Sequence, residues 1–341
     1  MTGPTLETAL KAVPNAHAHI RAAFTARTAH PWHAPTPARL AEGTFVSVVV
    51  PVRDTAYALP HTLDALAAQH THGRVEVIVV DDASTDASPD IAAHHPVVDI
   101  LVRLPRPVGS GAARNAGTRL AHADHLVYLD ADMVLPSHVL ADFAARSRPD
   151  TVLVGFRHNA PAPHDTPPAT APDLAADHRV TWRPPGGVPL IHSGLVMPHS
   201  FESHPLTDTR DFQDLGLGCF HYDWDLPRMV VTALLGVPRA AVEHVGGFEP
   251  AFGALGWGME DTHLGAALIA SGLTVVPLRQ TVGHHLDPAD AATQWKRKLE
   301  SWPHTHALYR KLLDGPPPTG RAEHFRAAAD ELLGGAEVTS R

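Results

Sequence analysis

The stretch FVSVVVPV, residues 45–52, decides the fold of this chain. Its nearly unbroken run of β-branched apolar residues is typical of a parallel strand that is buried on both faces. Leu59, Leu63 and Leu66 then recur at helical spacing, which predicts a helix directly after the strand. Because a strand followed by a helix is the first half of a βαβ unit, this segment predicts an α/β fold.

The same alternation continues through much of the chain. Further strands are predicted in VEVIVVD (75–81), VDILVRL (98–104), HLVYLD (125–130), TVLVGF (151–156), MVVTALLGV (229–237) and LTVVPL (273–278), with helical patterns between most of them. This order predicts a mostly parallel sheet flanked by helices. Ligands of such sheets bind beyond the carboxyl ends of the strands. Asp81, Asp82, Asp130 and Asp132 are all expected at that edge.

We predict three parts in the chain. Residues 1–43 form an N-terminal extension, with a short helix near residues 5–12 and a proline-rich arm on the surface. Residues 44–286 form the main domain, and residues 287–341 form a C-terminal helical segment. Within the main domain, residues 157–228 are rich in Pro, His, Asp and Gly and show little periodicity, so a long loop-rich region is predicted there.

Composition excludes several classes of protein. The net charge of −9, with dispersed Lys and Arg, argues against a nucleic-acid partner. The single Cys219 has no second thiol with which to form an internal disulfide, as expected in a reducing cytoplasm. No apolar run approaches the roughly 18 residues of a membrane span, and the first residues lack a signal-peptide pattern. We therefore expect a cytoplasmic protein without a membrane span.

The glycines near residue 109 do not form a known nucleotide motif. The dinucleotide-binding pattern G-x-G-x-x-G would need glycine at position 114, where the chain has Arg114, and the P-loop pattern is absent. What remains is a nucleotide-type sheet with acidic strand ends. Carboxylates repel phosphates unless a divalent cation lies between them, and Mg²⁺ or Mn²⁺ prefers oxygen ligands.

Six segments together resemble the family-2 nucleotide-sugar glycosyltransferases of GT-A fold. They are VSVVVPVRD (46–54), EVIVVDDASTD (76–86), GSGAARNAG (109–117), YLDADM (128–133), VGGFEPAFGALGWGMEDTHLGAALIASG (245–272) and GHH (283–285). They occur in the order found in that family and span most of residues 45–285. The resemblance implies a GT-A fold in which residues 157–228 shape the acceptor side.

The resemblance also implies a nucleotide-sugar site. Asp81 and Asp82 are expected beside the nucleobase and ribose, and a carboxylate that accepts the imide N–H of uracil favours a UDP-sugar. Arg114 and Asn115 correspond to the family's ARN segment beside the base and ribose, although Arg114 is equally suited to a structural salt bridge. The full set of predicted donor-site residues is Pro51, Asp81, Asp82, Gly109, Arg114, Asp130, Ala131, Asp132 and Trp257.

The segment DAD resembles the metal-binding D-x-D of the family. The resemblance places Asp130 near the ribose and makes Asp132 the direct ligand of Mn²⁺ or Mg²⁺, which would bridge the two phosphates. A C-terminal His often completes this site. His284 is our first choice and His285 the alternate, in a chain whose 26 histidines weaken any single assignment.

The segment GWGMED resembles the acceptor-side motif of inverting members. Asp261 is the predicted general base, and Glu260 is predicted to contact sugar or acceptor hydroxyls. The alternative is that both carboxylates only stabilise the positive end of a helix. Retaining relatives carry a similar element, so the stereochemistry stays open. Trp257 is expected to pack on a sugar face or in the core.

Chain polymerisation is not expected. QWKRK (294–298) only partly matches the Q-x-x-R-W of processive synthases, because Gln294 and Arg297 fit but Lys298 replaces Trp. Lys296 or Arg297 is predicted to touch the diphosphate. Further acceptor contacts are predicted in the loop-rich region at Trp182, Trp224 and Asp225.

The predicted function is metal-dependent, inverting transfer of a glucose-type hexose from a UDP-sugar to a hydroxyl of a small soluble acceptor, such as a nucleoside or aminocyclitol. A homodimer is a further expectation. The alternatives are a sugar nucleotidyltransferase, a transferase for polysaccharide or lipid-linked acceptors, and a non-catalytic nucleotide-sugar-binding protein. A nucleotidyltransferase should carry a glycine-rich basic loop after its first strand, which PVRDTAYALP (51–60) lacks.

Overall fold

A computed structural model describes residues 3–13, 15–160, 162 and 226–341. The strands are β1 Phe45–Val52, β2 Arg74–Asp81, β3 Ile100–Arg103, β4 His125–Leu129, β5 Met133–Val134, β6 Thr151–Ala160, β7 Leu234–Pro238, β8 Thr274–Leu286 and β9 Glu337–Ser340. The helices are α1 Leu6–Lys11, α2 Ala18–Thr28, α3 Leu59–Ala67, α4 Ser88–His94, α5 Ser110–Leu120, α6 Val139–Arg146, α7 Leu226–Met229, α8 Arg239–His244, α9 Ala251–Leu255, α10 Glu260–Ala270, α11 Ala291–Leu313 and α12 Ala322–Leu333.

The strands form one sheet in the order β5-β8-β6-β7-β4-β1-β2-β3-β9. Among the described strands, β1, β2, β3, β4, β6 and β8 run in one direction, and β5, β7 and β9 run against them. The prediction of a mostly parallel sheet flanked by helices is therefore confirmed. Val52 of β1 pairs with Asp81 of β2, so their carboxyl ends meet at one edge of the sheet.

The two faces of the sheet have separate apolar cores. One core includes Val49, Tyr128 and Phe248, and the other includes Val48, Leu63 and Phe143. Alternate residues of β1 thus enter opposite cores, as the pleat of a strand requires. Burial on both faces explains why β1 reads as a continuous apolar run in the sequence.

Several elements differ from the sequence prediction. Strand β6 continues through residues 157–160, which were predicted to begin the loop-rich region, and β8 runs eight residues past the predicted end at Leu278. These two strands pair with each other beyond a break in register, so tertiary pairing extends both into polar sequence. In addition, β7 begins at Leu234 rather than at Met229, which is instead the last residue of α7.

The N-terminal segment contributes to both cores. Besides the predicted short helix, it contains α2, and Leu6, Leu10, Ile20, Phe24 and Trp32 are all buried. The domain boundary at residue 43 stays a prediction.

A buried polar network attaches this segment to α6. Arg146 pairs with Asp142 at 2.9 Å and donates through Nε to the Trp32 carbonyl at 3.0 Å. Asp142 also accepts the Thr36 backbone N–H at 3.0 Å and contacts His138 at 2.6 Å. Because a buried charge needs compensating partners, each member of this network depends on the others.

Arg146→Met is expected to lower the free energy of unfolding by about 3–5 kcal/mol, because it leaves the Asp142 carboxylate buried without its cation. Urea denaturation measures this change. Arg148→Met is the matched control: the Arg148–Asp150 pair is 43% and 49% exposed, so its loss should cost no more than about 1 kcal/mol. Equal losses in the two variants would contradict a structural role for the buried pair.

Candidate active site

A cleft of about 730 Å³ opens at the carboxyl ends of the parallel strands. This volume is within the range of about 300–1,000 Å³ that small-molecule sites occupy. Most of the predicted site residues line it, namely Pro51, Asp82, Gly109, Arg114, Asp130, Ala131, Asp132, Trp257, Glu260 and His285. We call this space the donor cleft.

Asp82 fixes the turn that leads into α5. Its carboxylate accepts the backbone N–H groups of Val108 at 2.6 Å and Gly109 at 2.9 Å. Gly109 has φ of +91°, and a Cβ there would lie 2.7 Å from the Cα of Gly253. Only glycine fits this conformation and close approach. The Asp82 side chain therefore shapes one wall of the cleft.

Asp130 is held by a buried arginine. Arg114, which is 4% exposed, donates through Nη2 to the Asp130 carboxylate at 2.6 Å. Burial alone would raise the pKa of Asp130, but Arg114, with help from His285 and Arg157, holds it below the ordinary value. Asp130 is therefore ionised at neutral pH. The sequence allowed two roles for Arg114, a structural salt bridge and a contact with the nucleotide. The structure shows the salt bridge, and the side chain also lines the cleft.

Asp130, Asp132 and His285 form a group suited to a divalent cation. One ligand atom from each lies within 4.8 Å of the others. The Nε2 atom of His285 lies 3.3 Å from Asp132, and Tyr57 donates its O–H to Asp132 at 3.2 Å. Two carboxylate oxygens and one imidazole nitrogen are a suitable donor set for Mn²⁺ and leave coordination positions for phosphate oxygens.

The geometry favours His285, rather than His284, as the metal ligand. His284 and His285 are neighbours on β8, so their side chains point to opposite faces of the sheet. His285 lines the donor cleft. The ring of His284 instead lies 5.9 Å from that of His158 on β6, away from the acidic group. The choice of His284 as first metal ligand is therefore not supported, and the alternate, His285, takes its place.

Glu260 and Asp261 begin α10 beside the donor cleft. Asp261 lines a smaller space of about 270 Å³ that shares Arg114, Asp130 and Glu260 with the donor cleft. Met259, directly before them, has φ of +74°. A left-handed conformation is uncommon for a residue other than glycine and is often found at functional sites.

The two carboxylates have different surroundings. Burial, together with the negative charge of Glu260, raises the pKa of Asp261 to about 7. The Asp261 carboxylate accepts the backbone N–H of Thr262 at 2.8 Å. Glu260 accepts the hydroxyl of Ser110 at 3.1 Å through one oxygen, and its other oxygen is buried with no hydrogen-bond partner in the described part of the chain. A carboxylate with pKa near 7 is suited to general-base catalysis at neutral pH.

Two tryptophans, Trp257 and Trp295, form an aromatic part of the donor-cleft wall. The ring of Trp257 meets those of Trp295 and Trp302 edge-on, at centroid distances of 5.4 and 5.6 Å. The Lys298 ammonium lies 5.4 Å from the Trp257 centroid. Gln294, Trp295 and Lys298 line the cleft, whereas the predicted diphosphate contacts Lys296 and Arg297 do not. The cation nearest the site from this helix is thus Lys298.

Other predictions are changed by the structure. Asp81 does not line the donor cleft; it is buried, and its carboxylate accepts the N–H of Ser84 at 3.2 Å. Asn115 does not face a ribose, because its side-chain amide exchanges two hydrogen bonds of 2.8 Å with the Phe248 backbone. Trp182, Trp224, Asp225 and Cys219 lie outside the described residues.

Sequence reasoning missed several residues of the cleft. They are Tyr57, Arg157, Asn159, Asp287, Trp295 and Lys298. Asn159 donates to the Asp287 carboxylate at 2.9 Å, and Asp287 lies 3.6 Å from His285. Asp287 and His285 are two residues apart and therefore share a face of the extended chain, which is a signal that the sequence did contain.

Comparison with known proteins indicates the family. Residues 47–193 match the family model described as Glycosyl transferase family 2. Validoxylamine A glucosyltransferase from Streptomyces hygroscopicus subsp. limoneus is 29% identical over 80% of this chain and 58% of its own length. The protein of the same name from S. hygroscopicus subsp. jinggangensis (strain 5008) is 31% identical over 70% of this chain and 54% of its own length. The chain thus spans little more than half the length of these relatives.

A solved structure supports the fold. The mannosyltransferase from Pyrobaculum calidifontis, in complex with GDP-Man and Mn²⁺, has a TM-score of 0.52 and 21% identity, covering 96% of this chain and 86% of its own. Among the described residues, no helix is long and apolar enough to cross a bilayer. With the family match, the ordered motifs and the GT-A architecture, the chain carries a family-2 nucleotide-sugar glycosyltransferase domain of GT-A fold.

Proposed function

We propose that this glycosyltransferase uses a divalent metal to transfer glucose from UDP-glucose to a hydroxyl of a small polar acceptor, with inversion. The observation that carries the proposal is the position of Asp130, Asp132 and His285 in the donor cleft, next to a smaller space that Asp261 lines. The Asp130, Asp132 and His285 group is suited to a metal-bound diphosphate, and Asp261 is suited to proton transfer.

The donor is expected to lie across the carboxyl ends of β1 and β4. Asp130, Asp132 and His285 would hold Mn²⁺ or Mg²⁺. When bound, the metal supplies positive charge that offsets the negative charge of the diphosphate. Lys298 can approach the same diphosphate from α11. Because Asp81 does not line the donor cleft, it no longer supports the uridine preference, and Asp82 is the carboxylate proposed to contact the nucleoside.

Asp261 is the proposed general base. The acceptor oxygen forms a bond to the anomeric carbon while the bond to the diphosphate oxygen breaks, and the hydroxyl proton passes to the Asp261 carboxylate. One base on the face opposite the leaving group produces inversion. Glu260, whose second carboxylate oxygen has no partner among the described residues, is placed to accept a hydroxyl of the sugar or acceptor.

The choice of glucose and of a small acceptor rests on two observations. The two relatives at about 30% identity are named as glucosyltransferases acting on validoxylamine A. In addition, the aromatic wall of Trp257 and Trp295 offers apolar faces on which a ring-shaped polyol can pack. The homodimer stays a prediction.

The test is a turnover screen. The purified chain, with Mn²⁺, is incubated with UDP-glucose, UDP-galactose, UDP-N-acetylglucosamine, GDP-mannose or dTDP-glucose and a panel of cyclitols, aminocyclitols and nucleosides. Diphosphate release and product mass are measured. The proposal predicts the fastest transfer from UDP-glucose to a small polyol. The same assay is run with lipid-linked and polysaccharide acceptors, and transfer to these alone would overturn the acceptor assignment.

The pH dependence of turnover should follow the ionisation of the Asp261 carboxyl group. Because its pKa is raised to about 7 and the base acts when deprotonated, kcat/KM should rise about ten-fold per pH unit below pH 7 and become constant above it. Glu260→Gln removes the neighbouring negative charge that raises the pKa of Asp261, so the rising limb of the pH profile should move to lower pH. A limb near pH 4, the ordinary range of Asp, would contradict the assignment.

A further inference from the structure

A second cleft lies behind the turn that borders the donor cleft. It has a volume of about 590 Å³ and lies between residues 106–108, the loop 245–250 and the C-terminal residues 318–332. We call it the rear cleft. Val108 lines the rear cleft and the next residue, Gly109, lines the donor cleft; of the described lining residues, the two spaces share Gly253. Nothing in the proposed transfer reaction uses this second space.

The inner wall of the rear cleft is apolar. Phe248 and Phe325 are 0% and 2% exposed, and Ala329 is 3% exposed. The loop that carries Phe248 is held by two hydrogen bonds with Asn115: the Asn115 amide donates to the Phe248 carbonyl and accepts the Phe248 backbone N–H. A cleft with an apolar wall and a volume in the range of small-molecule sites is typical of a preformed ligand pocket.

The rim of the rear cleft is cationic. Arg106, Arg321 and His324 line it, and within the described residues neither arginine has an ion-pair partner. Glu249 is the acidic residue of the described lining, and its carboxylate accepts the backbone N–H of Ala251 at 3.2 Å. The rim thus has two guanidinium groups without an ion-pair partner among the described residues, and its one carboxylate is already hydrogen-bonded. This balance of charge favours a negatively charged ligand.

A buried histidine adds a polar group to the lining. His263 is 6% exposed, and its Nδ1 has no hydrogen-bond partner among the described residues. Burial, with a contribution from Arg321, lowers the pKa of His263 to about 4, so the ring is neutral at pH 7. Buried polar atoms are rarely left without a partner, and an unexplained one commonly marks a missing water or ligand.

We propose that the rear cleft is a second ligand site, which binds a small organic anion. Its apolar body would pack against the half-buried Val108 and Leu332, in front of the buried phenylalanine rings. Its phosphate or carboxylate group would pair with Arg106 and Arg321, and a polar atom would bond to His263. Because the described linings of the two clefts have a single residue in common, this ligand and UDP are expected to bind at the same time.

Calorimetric titration of the full chain with phenyl phosphate tests this site. Binding is expected both without UDP and with saturating UDP and Mn²⁺. A parallel titration with benzoate distinguishes a phosphate from a carboxylate ligand, and binding of either supports the site. Absence of binding by both compounds at millimolar concentration, or displacement of the bound compound by UDP, would overturn the proposal.

Two pairs of variants locate the binding. Ala328 is exposed and lines the rear cleft, whereas Ala327 is exposed and does not. Ala328→Trp should abolish binding, and Ala327→Trp should leave it intact. Arg321→Gln should weaken binding about ten-fold by removing a charged hydrogen bond. Arg326→Gln, which removes the same charge from a residue paired with Glu243, should not. Unchanged binding in both Ala328→Trp and Arg321→Gln would place the ligand elsewhere.

Discussion

Asp132→Asn is expected to lower kcat/KM for sugar transfer about a thousand-fold at fixed Mn²⁺. The substitution removes one of two carboxylates from the proposed metal site. The positive charge that a metal supplies to a developing phosphate charge is worth several kcal/mol, and about 4 kcal/mol corresponds to a thousand-fold. Initial rates with UDP-glucose, measured over a range of Mn²⁺ concentrations, check the loss.

Tyr57→Phe is the matched control for this variant. It removes the hydrogen bond of 3.2 Å from Tyr57 to Asp132 but leaves the carboxylate in place. Losing one such neighbouring bond is expected to cost no more than about ten-fold. If Asp132→Asn retained wild-type activity at low Mn²⁺, Asp132 would not be a metal ligand.

Asp261→Asn is expected to lower kcat by about 10²–10⁴, because the amide cannot accept the proton of the attacking hydroxyl. Asp261 does not line the donor cleft itself, so the Kd of UDP with Mn²⁺ should stay unchanged. Single-turnover kinetics and calorimetry separate the two quantities.

Glu260→Gln provides the comparison for the base. Its expected effect is a higher KM with a smaller loss of kcat, since Glu260 is proposed to contact hydroxyls rather than to accept the proton. The reverse order, with kcat destroyed by Glu260→Gln and retained by Asp261→Asn, would exchange the two roles.

The central strands were predictable because the apolar pattern of each segment reflects its own burial. A strand that is buried on both faces is mostly apolar, as in β1 and the central residues of β2, and the helices between such strands carry an apolar stripe. Asp130 and Asp132 could be placed at the sheet edge for the same reason. Asp261 needed the family resemblance, because a carboxylate at the start of a helix is by itself only a stabilising charge.

The remaining differences come from tertiary contacts. Nothing local in GHHLD (283–287) says which histidine faces the cleft; the pairing of β8 with β5 and β6 decides it. In the same way, β9 is exposed along its whole length and forms only because β3 offers a free edge. Lys298 reaches the cleft through the packing of α11 on Trp257.

The measurement that tests the account most directly is calorimetric titration with UDP, in Mn²⁺ and in EDTA, of the wild type, His285→Gln and His284→Gln. The account predicts that Mn²⁺ tightens UDP binding in the wild type and in His284→Gln, and that His285→Gln loses most of this effect. UDP binding that is equal in Mn²⁺ and EDTA, or a metal effect that is lost in His284→Gln and kept in His285→Gln, would contradict it.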